Sequence, residues 1–341
     1  MNFESIWTLR GAEHQVFRQI VEEWEDDFAT ELGLPLRDMS ALEKRANGRF
    51  GALRRRLPGG LMPFDDAGRM QPARAGARSL AFLLWPPAHP SSFWVQPDVV
   101  PVVVDFWRPH LAHAERVFAR SPVVFVTNRE IQLALADTSL GGRVHYLSLS
   151  VSARHVRPVS APRTVDLIQV GRQNAKLHRW ALDYVGLRPG ASYLYADTSG
   201  TWPRWTATDR GPLKLDTSRS SYWELLRSSR VSLVSAPGID GGEARTGGLN
   251  PVTPRFYESA AARCHLVGRF PRDGADFAAN RVASACRHVD SFDEFVDAVD
   301  HGRHTAPPVS RLDAFLVGHT SAEVARALRT ALAASRAELA A

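Results

Sequence analysis

Short apolar runs alternate with helix-like segments through most of this chain, and that alternation confines it to few folds. Leu80–Trp85, Val99–Phe106, Val123–Thr127 and Val144–Leu149 each have the length of a buried strand, and the helix-like segments Leu111–Ala119 and Glu130–Ala136 separate the last three. Continuous apolar runs suit strands covered on both faces, and strand–helix alternation predicts a parallel sheet. The pattern breaks at Ser150–Thr164, where Arg154, Arg157, Pro158, Pro162 and several serines read as a linker, then resumes. Strands are predicted at Val165–Val170, Tyr193–Ala196, Val231–Ser235 and Cys264–Val267, with a further strand ending at Val289; helices are predicted at Leu177–Val185, Ser221–Arg227 and Phe292–Val299. Two α/β domains joined by a hinge are the expectation, and 341 residues leave room for both.

The segment ahead of the first apolar run is different. Val16, Phe17, Ile20, Val21, Trp24 and Phe28 fall at helical spacing with Glu22, Glu23, Glu25 and Asp26 between them, which predicts a packing helix over 14–32. Ala41–Leu57 suggests a second helix, ended by Pro58-Gly-Gly60. His14 reads as an ordinary helix residue, since no partner is visible for it.

Composition narrows the function classes. No run of about 18 apolar residues is present to span a bilayer, and the N-terminus lacks a basic segment followed by an apolar one, so the expected location is the cytoplasm. Cys264 and Cys286 give neither a disulfide framework nor a metal cluster and are expected to be reduced and structural. Lysine occurs only at 44, 176 and 214, so arginine supplies the other 39 of 42 basic residues. Lys44–Arg78 holds nine Lys or Arg against Asp65 and Asp66, an excess that suits an anionic acceptor, a peripheral membrane contact or a solvated face. Zinc-finger spacing and RNP-like aromatics are missing, and nucleic acid is not an expected partner.

The chemistry concentrates in Ala236–Gly268. Gly238, Gly241, Gly242, Gly247 and Gly248 make a loop whose amides can approach a pyrophosphate, although a mobile surface turn has the same composition. Thr253-Pro254 then reads as the cap and first residue of a helix, whose positive end is a natural anion site. Glu258, one turn inside, is placed to accept hydrogen bonds from a sugar's hydroxyls. Neither Walker lysine spacing nor a strand running straight into GxGxxG is present, which argues against an NTPase or a dinucleotide enzyme.

The run Arg255-Phe-Tyr-Glu-Ser-Ala-Ala-Ala-Arg263 followed by His265-Leu-Val-Gly268 resembles the donor domain of GT-B glycosyltransferases, especially the CgeB-like and group 1 (family 4-like) families. The resemblance covers roughly residues 98–300 and is strongest from Thr164 onward. It implies an α/β fold of two Rossmann-like domains (GT-B) facing each other across a cleft, with a helical N-terminal segment. On that reading residues 1–152 are an acceptor-binding domain (1–78 mostly helical), 153–163 a linker and 164–315 a nucleotide-sugar donor domain. Residues 316–341 are then a helix that packs back on the first domain. The resemblance further implies that Glu258 grips the nucleotide's ribose and that Arg172 and Lys176, in Gly171-Arg-Gln-Asn-Ala-Lys176, contact the diphosphate. Many group 1 members carry a second acid eight positions before the first, and here that place is Asn250. Thr253, Arg255 and the loop glycines Gly238, Gly241, Gly242 and Gly248 complete the expected donor site.

A sugar transfer also needs a group near the acceptor hydroxyl as it loses its proton. Asp105 and His110, in Asp105-Phe-Trp-Arg-Pro-His110, follow a strand in the first domain, as does His89 in Pro86-Pro-Ala-His-Pro90, and loops there face the ligand side of an open α/β sheet. The alternative for the first two is that Asp105 caps the next helix and His110 pairs with it. Trp202-Pro-Arg-Trp205 is an aromatic loop that either stacks on a base or sugar or packs in the core. The expected function is transfer of a sugar from a nucleoside-diphosphate sugar, as co-substrate rather than cofactor, to a small-molecule, glycan or lipid-linked acceptor. Family resemblance favours retention of configuration, and with cations and amides to neutralise the diphosphate no metal is required. The alternative, motivated by Asn250, is a catalytically inactive GT-B protein that binds a sugar nucleotide or a protein partner.

Overall fold

The computed structural model describes residues 2–8, 10, 18–38, 77–87, 95, 97–156, 158, 162–197, 204–214 and 218–340. The expected helix at 41–57, the basic stretch 44–78 up to its last two residues, His14, His89 and Trp202 lie outside the described residues. The strands are β1 Asn2–Thr8, β2 Leu36–Asp38, β3 Ala77–Leu83, β4 Val99–Val103, β5 Val124–Val126, β6 Val144–Tyr146, β7 Val165–Gln169, β8 Tyr193–Asp197, β9 Arg204–Ala207, β10 Gly211–Leu213, β11 Ser229–Ser235, β12 His265–Arg269 and β13 Cys286–His288. The described α-helices are α1 Gln19–Leu32, α2 Leu111–Val117, α3 Arg129–Leu135, α4 Ala175–Leu187, α5 Arg219–Arg227, α6 Glu243–Thr246, α7 Pro254–Ala261, α8 Ala275–Ala279, α9 Phe292–His304, α10 Val309–Leu316 and α11 Ser321–Ala340. Among the described residues no helix is long and apolar enough to cross a membrane.

The chain divides into two compact units, Met1–Ser148 with Ser321–Ala341, and Leu149–Thr320. Each is Rossmann-like. In the first, six parallel strands run in the order β2-β1-β3-β4-β5-β6. All five residues of β4 and all three of β5 are buried, as interior parallel strands require. Beyond the helix expected there, the N-terminal segment contributes two strands, with β1 inside the sheet between β2 and β3. Its sequence hides it, because Glu4 and Ser5 interrupt the apolar run; Ser5 is nevertheless buried, its Oγ 2.9 Å from Ser79 Oγ on β3.

Helix α1 buries Val21, Trp24 and Phe28, and Phe28 meets Phe82 of β3 edge-on at 5.0 Å. Glu25, read from the sequence as part of the polar face, is fully buried. Its carboxylate accepts from Thr8 Oγ1 at 2.6 Å and pairs with Arg18 at 3.3 Å and Arg10 at 3.2 Å, which is how an interior charge is tolerated. Helix α11 lies in this same unit, where Arg326 reaches Glu31 of α1 at 3.3 Å.

The second unit's sheet has the order β10-β9-β8-β7-β11-β12-β13, parallel from β8 to β13, with β9 antiparallel to both β8 and β10 at one edge. Helix α4 turns Leu177, Ala181 and Tyr184 onto the sheet, where they pack with Val231, Val267, Phe295 and Val299. Helix α9 opens on a capping box: Ser291 Oγ accepts the Glu294 amide at 3.2 Å, and Glu294 returns to the Ser291 amide at 3.3 Å. Helix α7 is buried from Phe256 to Ala261, held to β11 by Ser232 Oγ and Ser259 Oγ 2.7 Å apart, with Tyr257 stacked on Phe315 of α10 at 5.4 Å.

The division falls at 148/149 and 320/321, and close inside it Val151 bridges Thr320, its amide donating to His319 O at 3.0 Å. Near the end of α9, Gly302 lets the helix come close to the sheet: a Cβ there would stand 2.7 Å from Val231 Cγ2 and 3.1 Å from His265 Cβ. Gly302→Ala is therefore expected to cost about 1–2 kcal/mol through overpacking, despite alanine's better helix propensity. Urea unfolding measures it, and an unchanged or raised stability would contradict the close approach.

Candidate functional site

In the second unit the chain leaves β7 for β8 on one side and later resumes at β11 on the other, so β7 and β11 flank a topological switch point. Loops diverging from the carboxyl ends of such strands leave a crevice, where open α/β sheets bind ligands. The loops here are Val170–Asn174, leading into α4, and Ala236–Thr253, which carries the glycines and delivers α7.

Both are tied down. Asn174 is the N-cap of α4, its Oδ1 accepting from the Leu177 amide at 2.9 Å. Its Nδ2 donates to Asp240 Oδ2 at 2.9 Å, and Arg269, at the end of β12, meets the same carboxylate through Nε at 2.6 Å and Nη2 at 3.2 Å. Asp240 thereby joins three strand ends. Lys176 Nζ lies 5.0 Å from the Trp180 ring centroid and the Arg269 guanidinium 5.6 Å from it, so two cations stand against one indole. Burial raises the Asp240 carboxyl, but the hydrogen bonds from Arg269 and Asn174 and the nearby cations outweigh it, and the group titrates below its usual range.

A carboxyl whose folded pKa is depressed stabilises the fold above the unfolded value and loses that contribution as pH falls through the folded one. Asp240 is expected to help hold the fold at neutral pH and to stop doing so below about pH 4. Urea midpoints of the wild type and Asp240→Asn should therefore converge as pH falls from 6 to 3; a gap independent of pH would remove this account.

The glycine loop owes its course to three constraints. Gly241 and Gly248 have φ of 99° and 81°, in the region that favours glycine. Gly238 and Gly242 have ordinary φ but no space: a Cβ would stand 2.3 Å from Leu249 O at the first and 1.9 Å from Pro237 O at the second. Asn250 then staples the loop shut, its Oδ1 accepting the Gly238 amide at 3.0 Å and its Nδ2 donating to Gly248 O at 2.8 Å.

Thr253 has the extended backbone of an N-cap and Pro254 occupies the first helical position, as the sequence predicts. The hydroxyl differs from expectation: it caps no amide, and Thr253 Oγ1 is buried without a hydrogen-bond partner among the described residues. Proline at the first position leaves one orphan amide fewer, and the Phe256 amide donates instead to Thr253 O at 3.1 Å. Arg255, in the first turn of α7, donates from Nη1 to Arg172 O at 2.8 Å and to Val170 O at 3.3 Å, so it braces the β7 loop. Arg172 itself is exposed and Lys176 partly buried.

Glu258 is 2% exposed, and its carboxylate is engaged from α5: Arg219 Nη2 donates to Oε1 at 2.6 Å and Tyr222 Oη to Oε2 at 2.5 Å. Burial and the adjacent carboxylate push the Tyr222 phenol well above its ordinary value, so it stays a donor. A carboxylate has about four acceptor sites, so two remain after these contacts. Sequence reasoning did not find Arg219 and Tyr222. They lie one helical turn apart, but nothing in the sequence links them to a residue on α7.

In the first unit, Asp105 and His110 flank the loop after β4. His110 Nδ1 accepts the Trp107 amide at 3.0 Å, closing the short turn Arg108–His110. Burial lowers its pKa, and a neutral ring with Nδ1 so engaged carries its proton on Nε2. Such a ring donates from its other edge. Asp105 is partly buried, its amide bonded to Leu84 O at 2.7 Å. Among the described residues no three His, Cys, Asp or Glu side chains are grouped to hold a metal ion.

No family model matches the chain, and no curated protein does. Solved structures similar to it include the pneumococcal O-GlcNAc transferase GtfA, in complex with UDP and GlcNAc, at 10% identity and TM-score 0.45, covering 74% of this chain. The glycotransferase of kitacinnamycin is 12% identical at TM-score 0.43, over 89% of this chain and 88% of that one. The UDP-GlcNAc 2-epimerase from Methanocaldococcus jannaschii is 9% identical at TM-score 0.43, over 97% and 100%. The chain spans 56% of the length of the first of these. The assignment of two Rossmann-like units rests on strand order and direction, not on these likenesses.

Proposed function

We propose that this chain is a GT-B glycosyltransferase that takes its sugar from a nucleoside-diphosphate sugar bound by the second unit. One observation carries the reading. The glycine loop and the amino end of α7 meet at the sheet's switch point, where Thr253 Oγ1 is buried without a partner among the described residues. Loop amides and a helix amino end suit a diphosphate, and Arg172 and Lys176 supply fixed cations against the charge that builds on the leaving group. Glu258, held in place by Arg219 and Tyr222, offers its remaining lone pairs to the ribose. The acceptor is a small molecule, glycan or lipid-linked hydroxyl, with Asp105, His110 and His89 as the acceptor-side groups. The configuration is retained, with the departing diphosphate helping to take the acceptor's proton and no metal required.

A second reading is favoured by Asn250 and Glu258. The asparagine that replaces an acid is built into the loop, and the carboxylate already has two partners. A chain with these features could bind a sugar nucleotide without turning it over. Calorimetric titration with a panel of nucleoside diphosphates, followed by donor hydrolysis assays, tests both: no saturable binding to any diphosphate would overturn the donor site, and binding without hydrolysis or transfer would select the second reading.

A further inference from the structure

We propose a second anion-binding site in the Leu149–Thr320 unit, at the end of the sheet opposite the glycine loop, selective for a small multivalent oxyanion such as phosphate. The proposal does not rest on the glycosyltransferase reading. A cavity of about 360 Å³ opens there, and its lining includes Arg163, Arg230, Arg303, His265 and His304. Arg163 precedes β7, Arg230 lies at the start of β11, and His265 begins β12, so the site is at the amino ends of the strands.

Four guanidiniums stand in or beside this recess against two carboxylates. Asp166 is 3.1 Å from Arg303 Nε and 3.7 Å from Arg230 Nε, and Asp300 pairs with Arg188 at 2.8 Å. Two helix ends supply further negative potential. Arg163 caps the carboxyl end of α7, donating to Ala262 O at 3.0 Å and Arg263 O at 2.8 Å, and the last turn of α9 forms one wall. Each end is worth roughly half a charge, which leaves an excess of about one positive charge.

Donors remain as well as charge. Among the described residues Arg230 gives Nη2 to Arg163 O at 3.3 Å, makes a long 3.7 Å contact to Asp166, and has a side chain 41% exposed. Arg163 supplies charge rather than donors, since its Nε is buried and its Nη2 is turned onto Ala262 O and Arg263 O. His265 Nε2 faces Thr305 O at 3.3 Å, so the ring is fixed in the wall, while His304 is exposed at the rim. A half-open recess with surplus cations and a planar donor fork suits a phosphate, which carries about 1.5 to 2 negative charges at neutral pH.

Titration of the full chain with inorganic phosphate at constant ionic strength tests this, followed by calorimetry and by the shift in melting temperature. Saturable binding is expected, weakened at least tenfold in Arg230→Ser. His304→Glu, an exposed rim change that should not trouble folding, is expected to weaken it likewise. Arg179→Ala, an exposed change on α4 outside both sites, should leave it unchanged, and Lys176→Ala reports any phosphate held in the other site. The proposal is overturned if phosphate binding does not saturate, if Arg230→Ser and His304→Glu both bind as the wild type does, or if only Lys176→Ala weakens binding.

Discussion

Replacing Glu258 by glutamine is expected to lower the stability of the second unit by about 3 kcal/mol and to weaken nucleoside-diphosphate binding at least tenfold. The two effects have separate causes. Glu258 is buried, and both its oxygens are hydrogen-bonded, so the amide leaves Arg219 without its counter-charge in a site only 19% exposed and turns an N–H toward one of two donors. Removing one partner of a buried ion pair typically costs about 3–5 kcal/mol, and the partial exposure of Arg219 puts this case at the lower end. The affinity loss belongs to the proposed ribose contact, and tenfold corresponds to about 1.4 kcal/mol. Arg219→Met separates the two: if the pair is the source of the stability loss, the double variant should be no less stable than either single one. Urea unfolding and calorimetry on the same four proteins read both quantities. Unchanged stability would show that the ion pair contributes nothing, and unchanged affinity would remove Glu258 from the donor site whatever the stability does.

The parts of this molecule that were legible in the sequence are those in which one local rule acts alone. Valine-rich runs such as Val99–Val103 announce buried parallel strands, and Thr253-Pro254 announces the start of α7 to the residue. What was hidden depends on partners far along the chain. β1 is an interior strand although two polar residues break its apolar run, because Ser5 finds Ser79 across the ladder. The β9–β10 hairpin takes in Arg204 and Trp205, the end of an aromatic segment read as a loop, and Trp205 is buried there. Glu25 looks like one acid of a solvated face and is an interior charge, since Thr8, Arg10 and Arg18 converge on it. In the candidate site the glycines, Asn250 and Glu258 were visible as residue types, but what each one touches was not. Asp240 stood unnoticed among the glycines, and Arg269 ended a strand with no sign that its guanidinium turns back to that loop.

Gly238→Ala is expected to cost about 3 kcal/mol and to abolish nucleoside-diphosphate binding, whereas Gly241→Ala, in the same loop, should cost only about 1–2 kcal/mol and leave binding measurable. The difference lies in what each position meets. At Gly241 a methyl group enters open space, and the penalty is that of a positive φ. At Gly238 it would stand 2.3 Å from Leu249 O, 2.6 Å from Thr246 Oγ1 and 3.0 Å from Asn250 Oδ1, and the nearest of these is backbone that cannot swing aside. Relief requires the loop to move off Asn250, breaking the 3.0 Å bond from the Gly238 amide, so overpacking and a lost buried hydrogen bond add. The same geometry explains why an asparagine serves at 250. The side chain must accept from Gly238 N–H and donate to Gly248 O together, and an ionised carboxylate cannot donate. Asn250→Asp, which restores an acid at that place, is therefore expected to lose about 2 kcal/mol by setting a charge against a carbonyl, and to gain no transferase activity. A stable, more active Asn250→Asp protein would show that the loop can open to present this residue to a donor sugar, and the account of Gly238 would fall with it.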